Sequence, residues 1–363
     1  MGIRILHVTE SLAAGGIETT FLHMLQAFRT IDPTIAHEVL AFASGPLEAA
    51  YREVCRTVRV VPEWQAAAAC LAAGPDLVHV LFERCAYRLM PALLAGTSAP
   101  VVYGKGYDMG GMYRANEGLR WQADESMLVA CSATTFTTEA LARVFDVPGH
   151  VTVLGKAADV RRFSDLPTPS PTGPSRILCV ANLHPRKRVG DLIEALPEVR
   201  RRAVDAELRL VGSGTEEARQ ALIDRAQRAG VADAVSFAGH VADVAPEVAA
   251  ARLMALPSSC EGVPTVLLEG MAAGRPVVAT RTGHVESIVT DGVEGRLVDV
   301  GDVSALADCL AEILTDDSLA RRMSVAARAR ASRHDVAATA ARLLDVLVAA
   351  IPRASLASAS QTS

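Results

Sequence analysis

The sequence predicts an α/β protein made of two doubly wound domains facing one another across a cleft, and three observations carry that expectation. Apolar, β-branched runs alternate with helix-like segments along the whole chain, the pattern of parallel strands joined by crossover helices. A length of 363 residues suits two domains of roughly 100 to 200 residues each. The stretch LPTPSPTGP at 166–174, rich in Pro, Ser and Thr, cannot join a helix or a central strand and so marks the division.

Taken in order, IRILHVT (3–9) is the first strand, ESLAAGG a loop and IETTFLHMLQAF (17–28) an amphipathic helix. DLVHVLF (76–82), VVY (101–103) and MLVACS (127–132) continue the first sheet, with VTVLG (151–155) near its end. After the Pro-rich stretch come RILCV (176–180), ELRLVG (207–212), VSFAG (235–239), LMALP (253–257) and VVAT (277–280), each separated by a helix-like segment. Residues 303–314 and 318–350 are expected to be helical. The expected division is a domain over 1–165, a linker over 166–175, a second domain over 176–350 and a small, polar, disordered tail over 351–363.

Composition removes several function classes. Hydrophobic residues make up 50% of the chain, yet no run approaches the ~18 apolar residues of a membrane span. The start, MGIRILHVTE, lacks the long apolar region and cleavage site of a signal peptide, so a cytoplasmic location is expected. Seven cysteines are scattered and never form a Cys-x-x-Cys pair, which fits small buried hydrophobes and neither a disulfide frame nor a zinc site. With a net charge of −5 and no basic stripe, neither nucleic-acid binding nor docking on anionic lipid is expected.

The segment EGVPTVLLEGMAAGRPVVAT (261–280) carries most of the chemistry. A buried strand ends near Leu256 and a loop carries Glu261 and Gly262. Pro264 suits the first position of a helix, where a missing N–H has no intrahelical partner, and Gly274 followed by Pro276 stops that helix. Val266, Leu267, Leu268, Met271 and Ala272 force burial on several sides, leaving Thr265 and Glu269, four apart, on the one polar face. Sugar or ribose hydroxyls would satisfy a carboxylate there, and the first-turn N–H groups would face a phosphate. Taken alone, Glu269 could equally reach water past small neighbours.

An acid, Gly, a helix with a second acid after seven residues, then Gly-x-Pro-Val-Val resembles the nucleotide-sugar signature of retaining glycosyltransferases of family 4, which have the GT-B fold of two Rossmann-like domains. The resemblance implies that Glu261 contacts the donor sugar, that Glu269 binds the ribose, and that the last helix can cross back to the first domain. In VANLHPRKRVGDLIEA (180–195), Lys187 stands where that family has its lysine, while Asn182 replaces its usual arginine. Asn182 can still donate a neutral hydrogen bond, and Arg186 or Arg188 could restore the charge.

Gly15 and Gly16 resemble the family's glycine loop, and GKGYD (104–108) has Lys105 where the family commonly has histidine. VSFAGHV (235–241) resembles the segment whose backbone reads the nucleotide base, which brings in His240 and Val241. His284 follows Gly283 in a loop like the family's Gly-Gly turn, and Asp159 keeps a family position while Lys156 departs from it. The catalytic candidates are therefore Lys187, Glu261 and Lys105. The donor set is Gly15, Gly16, Asn182, Arg186, Lys187, His240, Val241, Glu261, Gly262, Val263, Pro264, Thr265 and Glu269.

The expected reaction is transfer of a sugar from a UDP- or GDP-sugar to a hydroxyl of a small soluble acceptor, with retention and without a cofactor. No Asp-x-Asp pair occurs anywhere in the chain, so metal independence is expected. A GT-B sugar-nucleotide epimerase and a non-catalytic nucleotide-sugar-binding protein are the rival readings. His7 and His79, inside strands, read as core residues.

Overall fold

The structure is a computed structural model that describes residues 2–13, 16–81, 83–105, 128, 130–144, 150–167, 175–203 and 205–352. The chain forms two compact units: Met1–Ala157 with Val336–Ser363, and Ala158–Asp335.

Unit 1 contains β1 (Arg4–Ser11), β2 (Ala36–Ala43), β3 (Thr57–Val60), β4 (Leu77–Val80), β5 (Val101–Lys105), β6 (Ala133–Phe136) and β7 (Val151–Val153). Among the described residues these form one parallel sheet in the order β3-β2-β1-β4-β5-β6-β7. Its named helices among the described residues are α1 (Gly16–Ile31), α2 (Glu48–Val54), α3 (Ala66–Ala73), α4 (Glu83–Gly96), α5 (Glu139–Val144) and α13 (Val336–Ala349). Alternation along β1 sends Ile5 to the face covered by α1 and α13, and Leu6 and Val8 to the face covered by α3 and α4. His7 on β1 is the register partner of His79 on β4, and His37 on β2, the register partner of Ile5, reaches His7 Nε2 through its Nδ1 at 2.9 Å.

Unit 2 contains α6 (Val160–Ser164), β8 (Ser175–Val180), α7 (Val189–Arg202), β9 (Ala206–Val211), α8 (Glu216–Arg228), β10 (Val235–Gly239) and α9 (Ala245–Ala250). It continues with β11 (Leu253–Leu256), α10 (Thr265–Ala272), β12 (Val277–Thr280), β13 (Gly295–Val298), α11 (Val303–Thr315) and α12 (Asp317–Ala331). The sheet order is β10-β9-β8-β11-β12-β13, all parallel. Both faces are covered, which is why the strands read as unbroken apolar runs. In β11, Leu253 and Ala255 enter the core under α7 and α11, while Met254 and Leu256 enter the core under α10 and α12.

Several expectations need correction. The unit boundary falls at Ala157/Ala158, ahead of residue 165, because Val160 and Phe163 of α6 are buried in the core that contains Leu267, Leu268 and Met271 of α10. Residues 168–174 of the Pro-rich stretch lie outside the described residues. The strand expected at 127–132 is instead ATTF at 133–136, where two β-branched threonines sit, while Leu128 and Ala130 are helical. The helical run at 318–350 is broken at 332–335: the Ala158 N–H donates to the His334 carbonyl at 2.9 Å, and the chain leaves unit 2 there. Ile351, placed in the tail, is buried in the core of unit 1, and residues 353–363 are not described. β2, β3 and β13 were not anticipated. AHEVLAFA carries His37 and Glu38 inside its run, and TVRV and GRLV are only 4 residues each.

Candidate active site

In unit 2 the chain winds outward from β8 to β10 and then restarts at β11, so β8 and β11 flank the switch point of the sheet. Ligands of open α/β sheets collect outside the strand C-termini at such a point. Three loops converge there: 181–188 after β8, 257–264 after β11 and 281–284 after β12.

Hydrogen bonds join these loops. The Ser259 N–H and Oγ both donate to the Arg186 carbonyl, at 2.8 and 3.1 Å. Thr282 Oγ1 donates to the Ser259 carbonyl at 3.0 Å, Thr280 Oγ1 to the Ser258 carbonyl, and the His284 N–H to the Gly262 carbonyl at 3.3 Å. Gly283 has φ +56°, and a Cβ on it would lie 1.6 Å from the Glu261 carbonyl oxygen. Only glycine fits that position without moving the Glu261 loop.

The result of this convergence is a direct ion pair. Lys187 Nζ donates to Glu261 Oε1 at 2.6 Å, with the side chains 17% and 7% exposed. Removing two charges from water costs several kcal/mol, so such a pair is weak grounds for stability. Beneath it, burial pushes the Cys179 thiol up to about 12. The neighbouring cations differ in their engagement. Arg188, at φ 48° before α7, donates from Nε to Asp191 Oδ2 at 2.7 Å, whereas the buried Arg186 Nε has no hydrogen-bond partner among the described residues.

Helix α10 starts one residue later than expected, with Pro264 as its N-cap in extended conformation (ψ 111°). Thr265 and Glu269 are both part-exposed, while Leu267, Leu268, Gly270 and Met271 are buried; Val266, expected to be buried, is part-exposed beside them. Gly262, Val263 and Pro264 are buried in the loop ahead of it. At the other end Gly274 takes φ +72°. Its N–H donates to the Met271 carbonyl and the Arg275 N–H to the Gly270 carbonyl, a closed helix stop.

The remaining candidates are dispersed. Asn182 is exposed on the loop after β8. His240 and Val241 directly follow β10, at the sheet edge two strands from β8, and the Gly212 N–H to the Gly239 carbonyl (2.8 Å) ties β9 to that end. Lys105 is buried at the end of β5 in unit 1. Gly16 begins α1, with Glu18 in its first turn, while Gly15 and residues 106–120 lie outside the described residues.

Sequence reasoning missed the contacts that hold the loops together, from Ser258, Ser259, Thr280 and Thr282. The available signal was a hydroxyl residue at the end of each of two apolar runs. It also missed Arg275, which is buried, donates to the carbonyls of Val248, Ala249 and Pro167, and is lowered to about 10 by burial and by Arg328.

The chain is similar to known proteins over part of its length and in its fold. Residues 174–316 match the family described as glycosyl transferases group 1. A glycogen synthase of Mycobacterium tuberculosis is 33% identical over 215 residues, covering 58% of this chain and 51% of the relative. A GDP-mannose-dependent α-(1-6)-phosphatidylinositol monomannoside mannosyltransferase of the same organism is 30% identical over 257 residues, covering 65% and 66%. The chain thus spans about half the length of the first of these relatives. Among solved structures, Anabaena HepE in complex with UDP superposes with a TM-score of 0.83 at 21% identity, covering 96% of this chain and all of the other. That likeness gives the fold: two Rossmann-like domains of the GT-B type.

Proposed function

The chain belongs, through residues 174–316, to the glycosyl transferases group 1 family, and from that premise we propose that it transfers a sugar from a nucleotide diphospho-sugar to a hydroxyl group. The observation that carries this reading is the Lys187–Glu261 pair at the switch point of the second sheet, one loop before the N-terminus of α10. Such a site offers a cation and a ring of backbone donors to a diphosphate, and a carboxylate to hydroxyls.

In this reading Glu261 accepts hydrogen bonds from the donor sugar and Glu269 from the ribose. The bond between the anomeric carbon and the diphosphate oxygen breaks, and its electron pair stays on the diphosphate. Lys187, Arg186 and the first-turn N–H groups of α10 stabilise that charge, which is greatest as the bond breaks. The acceptor oxygen bonds to the anomeric carbon on the face the diphosphate leaves, so configuration is retained, and the acceptor proton passes to the departing oxygen. Acceptor binding is assigned to unit 1, with Lys105 as the candidate residue there.

The donor is a UDP- or GDP-sugar. HepE was solved with UDP-glucose and the mycobacterial mannosyltransferase is GDP-mannose-dependent, and these two donors are the first to try. The net charge of −5, with no basic stripe, favours a small soluble acceptor over a lipid. The chemistry is proposed to need neither metal nor cofactor.

The test is incubation of the chain with UDP-glucose or GDP-mannose in EDTA, with and without a panel of hydroxyl acceptors, following nucleoside diphosphate release and the anomeric configuration of the product by NMR. Acceptor-dependent release of an α-linked product supports the reading. Donor consumption to an epimeric nucleotide sugar without acceptor favours the epimerase, and tight binding without turnover favours the non-catalytic protein.

A further inference from the structure

We propose that the Lys187–Glu261 ion pair is a product-release latch: after the sugar has left, Glu261 reclaims the Lys187 ammonium and weakens the hold on the remaining nucleoside diphosphate. The inference rests on the donor-site reading above and concerns what the same two residues do between turnovers.

The geometry gives Lys187 one charge and two claimants. The Lys187 ammonium is 2.6 Å from Glu261 Oε1. The Glu261 side chain is 7% exposed, so its carboxylate has little water to turn to and must be satisfied by a neighbour. While a nucleotide sugar is bound, that neighbour is the sugar: its hydroxyls donate to Glu261, and Lys187 is free to face the diphosphate. Transfer removes the sugar. A nucleoside diphosphate without sugar then leaves Glu261 buried, without hydroxyl donors, beside additional negative charge. The favourable way out is for the carboxylate to take Lys187 back.

Two further features make the competition hard to escape. The backbones of the two residues are fixed beside each other, because the Arg186 carbonyl accepts from both the Ser259 N–H and Oγ, and Gly283 lies against the Glu261 carbonyl. Only side chains can respond to the ligand. Arg188 is no ready substitute, since its Nε is held by Asp191 Oδ2 at 2.7 Å. The latch therefore acts on the cation that the diphosphate most needs, and it penalises the product relative to the donor.

The latch makes an unusual demand, that removing a group which contacts the donor should tighten the product. Isothermal titration of the full chain with UDP, GDP, UDP-glucose and GDP-mannose reads it directly. For whichever base binds, the wild-type chain is expected to bind the nucleotide sugar more tightly than its nucleoside diphosphate. Glu261→Gln is expected to bind the nucleoside diphosphate about tenfold more tightly than wild type, about 1.4 kcal/mol, and to lose its preference for the sugar-bearing form. Glu261→Ala should shift nucleoside diphosphate affinity in the same direction, so one misfolded variant does not leave the matter open.

If neither Glu261 variant binds the nucleoside diphosphate more tightly than wild type, the latch is wrong. Lys187→Met separates this from failure of the underlying reading. Loss of nucleotide affinity in Lys187→Met with unchanged affinity in both Glu261 variants removes the latch and leaves the donor site standing. Nucleotide affinity unchanged by Lys187→Met removes both.

Discussion

Lys187 Nζ and Glu261 Oε1 are 2.6 Å apart although their residues are 74 positions apart in the chain. The loop after β8 and the loop after β11 supply one residue each, and the parallel strand order makes those loops neighbours. A cation and a carboxylate thus meet at the place where the α/β architecture collects ligands.

Lys187→Met should remove the cation that faces the departing diphosphate. The expected loss is about 10²- to 10³-fold in kcat, the scale seen when one preorganised electrostatic stabiliser is deleted. Steady-state release of nucleoside diphosphate checks it. Arg188→Met should cost far less in turnover, because Arg188 is occupied by Asp191.

Gly283→Ala places a methyl group where the Glu261 carbonyl now lies, in a left-handed backbone conformation that alanine adopts at a cost. The loop bearing Glu261 must move. Donor binding is expected to fall at least about tenfold, with a loss of about 1 to 3 kcal/mol in stability. Calorimetric titration and denaturant unfolding measure the two effects separately.

Arg275 is a structural counterpart to these site residues. Its guanidinium donates to the Val248, Ala249 and Pro167 carbonyls and has no carboxylate partner among the described residues. Arg275→Met keeps the volume but abandons three acceptors. Unit 2 should lose about 2 to 4 kcal/mol, seen as a lower urea midpoint for its transition, with thermal stabilisation by nucleotide retained at low temperature.

Unit 1 should be the acid-sensitive half of the molecule. His7 Nδ1 is 3.0 Å from His79 Nδ1, and His7 Nε2 is 2.9 Å from His37 Nδ1, so the three rings form a buried chain on adjacent strands. Burial lowers all three: His7 well below its ordinary value, with added repulsion from His37 and His79, His37 to about 4 and His79 to about 3. The folded state keeps them neutral while the unfolded chain protonates them below about pH 6.5. Stability is therefore complete above that pH and falls as the pH drops towards 4 and then 3, by about 2 kcal/mol per histidine at pH 5. Proton uptake on unfolding of unit 1 at pH 5 should be smaller by about one in His37→Gln than in wild type.

The parts that were legible in the sequence share a physical cause. β8, β11 and β12 are buried on both faces, so each is written as a continuous apolar run, and the stop at Gly274 is a backbone requirement that one residue type meets. β2 was hidden because His37 and Glu38 interrupt its apolar pattern. Their partners are distant in sequence: His7 for His37 Nδ1, and Arg4 for Glu38 Oε1 at 3.0 Å. The break at 332–335 was equally unreadable, since a backbone contact with Ala158 helps define it. At the site, Glu261, Glu269 and Lys187 were visible as residue types at a recognisable spacing. Their mutual contact was not, because it depends on which strands are neighbours, and neither were the Ser259 and Thr282 hydrogen bonds that align the loops.

The most direct test of the donor site is calorimetric titration of UDP-glucose and GDP-mannose into the wild-type chain and into Glu269→Ala. One of the two nucleotide sugars should bind the wild type, and the substitution should weaken that binding about tenfold or more, as expected for a charged hydrogen-bond acceptor lost from the ribose. Equal affinities in the two proteins, or no binding of either nucleotide sugar to the wild type, would contradict the account.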